Sequence, residues 1–365
     1  MQNETPAILC NPRPVVPPPG FALLRATLVA LVLVVKCSAS DIEPIETLKL
    51  GRPVSALALS ADGHFLAAGD GAGVEDVEIV VWSIAPVRPL FVLRGHTRCV
   101  TGLCFTSDNH SLASVSFDGT LRTWELRNGS AVGIARRDPN DFVDVAFVPR
   151  KNLLITRSVA EHPLFWDAKD PKSVKMLKEQ PLHKATSSWT SVVSKDGDVV
   201  ATASGFLDRE NHFSIRELLT GKELKRLKGH RNGVLCMALS PDAKILATGY
   251  LHPEKAMDLI QLWDVEKGRI MGPIKGQEVP LFALQFSPDG KTLAGGDNAG
   301  TLALFDVGSR KKLVSLRGHT GQITRLHFTQ DGERLISSSH DGSIRIWDTV
   351  QLLNRGTVDG DTTQK

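Results

Sequence analysis

A histidine, a serine and an aspartate together can supply a base, a nucleophile and an orienting carboxylate. This sequence offers that trio twice, as His96, Ser114 and Asp118 and again as His319, Ser337 and Asp341. Other signs of chemistry are thin. No GxSxG, HExxH or P-loop pattern is present. His162, His183, His212 and His252 are scattered among expected loops. Acids gather in the stretches 69–78, 204–211 and 250–258, among them Asp70, Glu75, Asp76, Asp208 and Glu254. Their order does not follow a calcium-loop pattern, so no metal and no cofactor are expected. The five cysteines, Cys10, Cys37, Cys99, Cys104 and Cys236, form no CxxC or Cys/His zinc spacing and suggest neither a disulfide framework nor a metal site.

Charge narrows the partner. The chain has 43 basic and 40 acidic residues, a formal net charge of +3. Residues 1–40 hold Arg13, Arg25 and Lys36 against Glu4, which leaves the rest near neutrality. Such a balance gives no general pull toward nucleic acid or anionic lipid, and no nucleic-acid partner is expected. The basic string Lys222, Lys225, Arg226 and Lys228 reads as a solvated edge strand.

The elements that carry these residues repeat. An aromatic, or its stand-in, recurs at Trp82, Trp124, Trp166, Arg216, Trp263, Phe305 and Trp347. Ahead of each comes a short apolar strand, a turn and a second strand, and in five units the turn is SADG, SKDG, SPDA, SPDG or TQDG. Apolar residues alternate, as Ile344 and Ile346 do in SIRIWD. The seventh unit opens on Gly318-His319 and closes on Trp347-Asp348. The second carries Gly95-His96, Asp118-Gly119 and Trp124-Glu125, and the fifth Gly229-His230 and Trp263-Asp264.

These units resemble the WD-repeat (WD40) family across roughly residues 45–350, and the SPDG-type turns are similar to those of bacterial, exported members. The resemblance implies an all-β fold, a seven-bladed β-propeller of four-stranded antiparallel blades. The seventh unit ends after its third strand, so the missing strand is expected from IETLKL, residues 45–50, which closes the ring from the N-terminal side. The resemblance also assigns the two trios to structure: His96, Ser114, Asp118 and Trp124 form one hydrogen-bonded tetrad, and His319, Ser337, Asp341 and Trp347 another. The fifth unit has His230, Thr248 and Trp263, with its aspartate out of register at Asp258.

Residues 1–40 stand apart. After a Pro-rich start comes FALLRATLVALVLVV, residues 21–35, whose uninterrupted apolar run covers only Ala26 to Val35. That is too short for an ordinary spanning helix and suits a signal peptide cleaved near Ser40. The competing expectation is an uncleaved membrane anchor through residues 21–35. The expected division is therefore a signal or anchor at 1–40, a propeller at 41–350 and a polar tail at 351–365. The chain is expected to be exported, to the periplasm or outside the cell.

In the resembled family, partners bind the face that carries the loops before the first strand and between the second and third strands. By register, that face here holds Phe117, Val143, Trp189, Leu235, Phe282 and His340. An apolar set of this kind points to a protein or peptide partner. The expected function is a monomeric, non-enzymatic interaction scaffold. The alternative is a propeller enzyme, hydrolase or lactonase-like, using the central channel.

Overall fold

The computed structural model describes residues 43–359 except 73–76, 137–141, 159–162, 171, 173–174, 180–190, 204–211, 229–233 and 252–258. The N-terminal segment read as a signal or anchor therefore lies outside the described residues. Nearly all the regular structure is β. Seven four-stranded antiparallel sheets form a ring, a seven-bladed β-propeller. In blade one the strands are Val54–Leu59, Phe65–Asp70, Glu78–Ile84 and Val87–Arg94. Blades two to six repeat that order over residues 100–136, 142–179, 191–228, 234–274 and 281–317.

Blade seven is composite. Ile323–Phe328, Arg334–Ser339 and Ser343–Asp348 receive their fourth strand from Glu46–Lys49, as the IETLKL segment suggested. Leu48 stands opposite Ile344, and Glu46 opposite Ile346. Leu48 is buried in one cluster with Ile344, Ile346 and the first blade's Leu57, Leu66 and Trp82. One short strand thus caps the open edge of blade seven and joins it to blade one.

Why the pattern folds this way follows from where apolar groups are buried. The core consists of seven clusters, and each lies between two neighbouring blades. A strand deep in a blade is covered on both faces, so alternation weakens there: Ser111–Ser116 and Thr292–Asp297 are buried at every position. Outermost strands are mostly exposed instead, as in Glu223–Lys228, where only Leu227 is buried and Leu224, Lys225 and Arg226 face water.

The tight turns after the first strands of six blades share one mechanism, Thr106 with Asp108 serving blade two, whereas blade three turns through Pro149–Lys151. Ser60 donates to Asp62 Oδ1 at 2.5 Å, and Ser60 Oγ accepts from Phe65 N at 2.8 Å. Ser194 with Asp196, Ser240 with Asp242, Ser287 with Asp289 and Thr329 with Asp331 repeat it. The residue after the aspartate is left-handed, glycine in most blades but Ala243 in blade five, at φ +57°.

The polar tail of the sequence begins as a helix, Thr349–Asp359. Leu352 is fully buried with Leu302, Leu304, Leu326 and Trp347, so the helix seals the junction of blades six and seven. One apolar residue on the inner side of an otherwise polar stretch was too weak a periodic signal to reveal it.

Candidate functional site

Both trios assemble, each around its indole. His96 shares hydrogen bonds with Asp118 Oδ2 at 2.9 Å through Nδ1 and with Ser114 Oγ at 2.7 Å through Nε2, and Trp124 Nε1 donates to Ser114 Oγ at 2.8 Å. In blade seven the same distances are 3.1, 2.7 and 2.9 Å for His319, Asp341, Ser337 and Trp347. Each set has a fifth member. Thr120 and Ser343 approach the imidazole Nδ1 and donate to the aspartate Oδ1 at 2.6 Å. Asp118 also accepts from Thr97 N, and Asp341 from Thr320 N, which pins the loop before the first strand to the turn between strands two and three.

Electrostatics agree with a structural role. Burial is the largest influence on both imidazoles and pushes them below their ordinary pKa, against the pull of the aspartates. Burial opposes ionisation of Asp118 and Asp341 as well, but the hydrogen bonds from histidine, hydroxyl and backbone outweigh it and hold both carboxyls far below the usual range. Ser114 and Ser337 are completely buried. A hydroxyl that already serves an imidazole and an indole, with no path to solvent, has no substrate to attack.

The other blades keep fragments of this network. Trp166 donates to Thr156 at 2.9 Å and Trp263 to Thr248 at 3.0 Å. The expected fifth-blade partner His230 lies outside the described residues. In blade one Ala68 occupies the hydroxyl's register position opposite Val80, and the buried Trp82 indole N–H has no partner among the described residues. In blade four Arg216 fills the tryptophan position opposite Val200, with its guanidinium on Glu223 at 2.7 Å and Gly221 O at 3.1 Å. Phe305 packs beside Gly295 in blade six.

At the inner rim the ring divides into two arcs. The second residue of the first strand in blades seven, one and two is Thr324, Ser55 and Thr101. Each hydroxyl donates to the next blade's inner strand: Thr324 to Val54 O at 2.8 Å, Ser55 to Val100 O, and Thr101 to Phe142 O at 2.6 Å. The same ring position in blades three, five and six is Val143, Leu235 and Phe282. These carry no hydroxyl and make no such bond; each is half-buried. Arg325, next after Thr324, reaches across to Thr101 O at 3.3 Å.

Three stretches of the sequence, residues 87–125, 221–252 and 310–348, match the family description "WD domain, G-beta repeat". They fall in blades one to two, four to five, and six to seven. The chain carries WD40 repeats. Similar proteins include periodic tryptophan protein 2 of Arabidopsis thaliana, 26% identical over 230 residues, 61% of this chain and 23% of that protein. WD repeat-containing protein AAC3 of Dictyostelium discoideum is 23% identical over 205 residues, 56% and 41% of the two chains. Autophagy-related protein 16 of Arabidopsis thaliana is 27% identical over 235 residues, 63% and 43%. This chain spans less than half the length of each of these relatives. They are eukaryotic, and lend no support to the bacterial-type, exported form of the resemblance.

Of the residues the sequence placed on the partner face of the WD40 propeller, Trp189 lies outside the described set. Val143, Leu235 and Phe282 share the inner rim. Phe117 and His340 belong to the turns between strands two and three of blades two and seven, at the same end of the molecule. Phe117 is half-covered by the Arg98 guanidinium, whose Cζ is 5.8 Å from the ring centroid and whose Nη1 donates to Phe117 O. His340 is exposed. Two polar residues assigned to loops sit elsewhere: His212 is buried in the strand His212–Glu217, and Asp70 is buried with Arg52 at 3.0 Å. Among the described residues no group of three His, Cys, Asp or Glu could hold a metal ion. Burial pushes the Cys104 and Cys236 thiols well above their ordinary pKa, which disfavours the reactive thiolate.

Proposed function

We propose that this chain is a non-enzymatic interaction scaffold whose channel-mouth face binds a protein or peptide segment. The observation that carries the reading is the split inner rim. The hydroxyl arc locks blades seven, one, two and three together, while Val143, Leu235 and Phe282 leave apolar surface at the opposite arc of the same opening. Rigid scaffolds with apolar groups ringed by polar loops favour protein partners. The trios that resembled a hydrolytic site are fully engaged inside the blades. Family membership adds a general expectation of protein binding.

The test is capture from the native host with the full chain, compared with Leu235→Ala/Phe282→Ala and with Asp289→Ala at the far end of blade six. The reading expects a partner bound by the native chain and by Asp289→Ala, and lost by the folded double variant. Equal capture by all three would overturn it. Export, with cleavage near Ser40 or retention of residues 21–35 as an anchor, is a separate proposal. Sequencing the mature N-terminus in the native host distinguishes the two.

A further inference from the structure

The inner strand of blade seven carries a charge that no described residue balances. Arg325 donates to Thr324 O at 3.0 Å and to Thr101 O at 3.3 Å, both backbone carbonyls. A guanidinium has five N–H donors. Among the described residues no carboxylate pairs with this one. His327 and His340 lie close enough to feel its charge, and Asp144, paired with Arg157, lies close enough to act on His327. His327 bonds Leu57 O at 3.0 Å. Loss of solvation, deep for His327 and only partial for the exposed His340, comes first and the Arg325 charge adds to it; both imidazoles stay below their ordinary pKa, so near neutral pH neither adds charge. Asp144, whose charge reaches His327, is already tied to Arg157 at 2.5 Å. Arg157 itself retains a buried Nη1 with no partner among the described residues.

Among the described residues the count is two guanidiniums against one carboxylate, and the nearest acceptors of Arg325 are backbone carbonyls. Carbonyls satisfy N–H donors but do not neutralise a cation, and a half-buried, uncompensated charge is costly. The geometry points to the missing member: Arg325 receives the side-chain carboxylate of an aspartate or glutamate in an extended peptide lying across the channel mouth. This rests on the mouth reading above and specifies the partner's chemistry. A single excess positive charge matches a monoanionic carboxylate; a phosphate dianion would call for a second free cation. Phe282 of blade six neighbours Thr324 of blade seven in the ring, so an apolar residue should stand close to the acid in the bound segment.

A random-peptide selection against the full native chain, Arg325→Gln and Arg325→Glu tests this. Native chain should enrich peptides with one acidic position beside an apolar one. Arg325→Gln should lose that preference, and Arg325→Glu should replace it with lysine or arginine. For the best native peptide, changing its acid to the amide should weaken binding to the native chain about tenfold, roughly 1.4 kcal/mol. Against Arg325→Gln the same change should have less than about a twofold effect. Arg325→Lys, which keeps the charge without the fork, should fall between and serves as the folding control. Acid enrichment that survives in Arg325→Gln overturns the inference. So does displacement of the peptide by inorganic phosphate at concentrations where acetate has no effect, since the site would then prefer phosphate. Selection of apolar peptides with no acidic position overturns the carboxylate inference alone. Failure to select any peptide with any chain overturns the mouth reading with it.

Discussion

Ser114 and Ser337 show how one set of residue types serves two different ends. Their histidines and aspartates have the chemistry of a hydrolase, yet each hydroxyl is spent between an imidazole and an indole in the dry interior. Removing one partner leaves another buried and unsatisfied, at about 1–3 kcal/mol. His319→Ala and Asp341→Ala should therefore each lower the melting temperature in calorimetry; an unchanged value would refute the assignment. A pH dependence follows. Both imidazoles titrate below the ordinary 6.5 when folded, so as pH falls below that value the unfolded chain takes up protons that the folded one refuses. Stability should decline from about pH 6.5 downward, and decline again below about pH 4 as Asp118 and Asp341 resist protonation. Melting curves from pH 8 to 5 should show the first slope, reduced in His319→Ala. Blade one offers the converse test. Ala68→Ser places a hydroxyl at the register position that meets the indole in blades two and seven. It should stabilise the protein by about 0.5–1.5 kcal/mol by giving Trp82 an acceptor.

At the scale of elements, most of the blade was legible before folding. Turn residues, the recurring aromatic and the unpaired seventh blade together required seven sheets and a closing strand at 45–50. What stayed hidden needed the ring itself. Arg325 and His327 alternate with Ile323, Leu326 and Phe328, so in the sequence they read as a water-facing side of an ordinary strand. Only closure brings Thr101 to Arg325 and Leu57 O to His327. The hydroxyl stitches are hidden for the same reason, because their acceptors are carbonyls of the next blade. Two substitutions test the close contacts. A Cβ on Gly102 would lie 2.7 Å from Val145 N and 2.8 Å from Asp144 Cα, backbone that cannot swing aside. Gly102→Ala should cost about 1–3 kcal/mol by forcing blades two and three apart. Ala243→Gly should do the opposite. It relieves a left-handed alanine at a turn where the other blades mostly use glycine, and should gain about 0.5–1 kcal/mol in denaturant titrations.

At the scale of the whole molecule, stability and the proposed recognition are divided around one axis. Apolar clusters at every blade junction hold the ring, so no single blade need carry a complete tetrad. Stability in such arrays is close to a sum of unit and neighbour terms, with closure adding cooperativity. That redundancy leaves the mouth free to be asymmetric, polar and cationic toward blades seven, one and two, apolar toward three, five and six. The direct test of this account is site-specific photo-crosslinking in the native host. One photoreactive residue would replace exposed His340, at the mouth end. Another would replace Asp289, in the turn between the first two strands of blade six, at the opposite end. The account predicts a discrete cross-linked partner from position 340 and none from position 289. A partner trapped from position 289 alone would place recognition on the other face and contradict it.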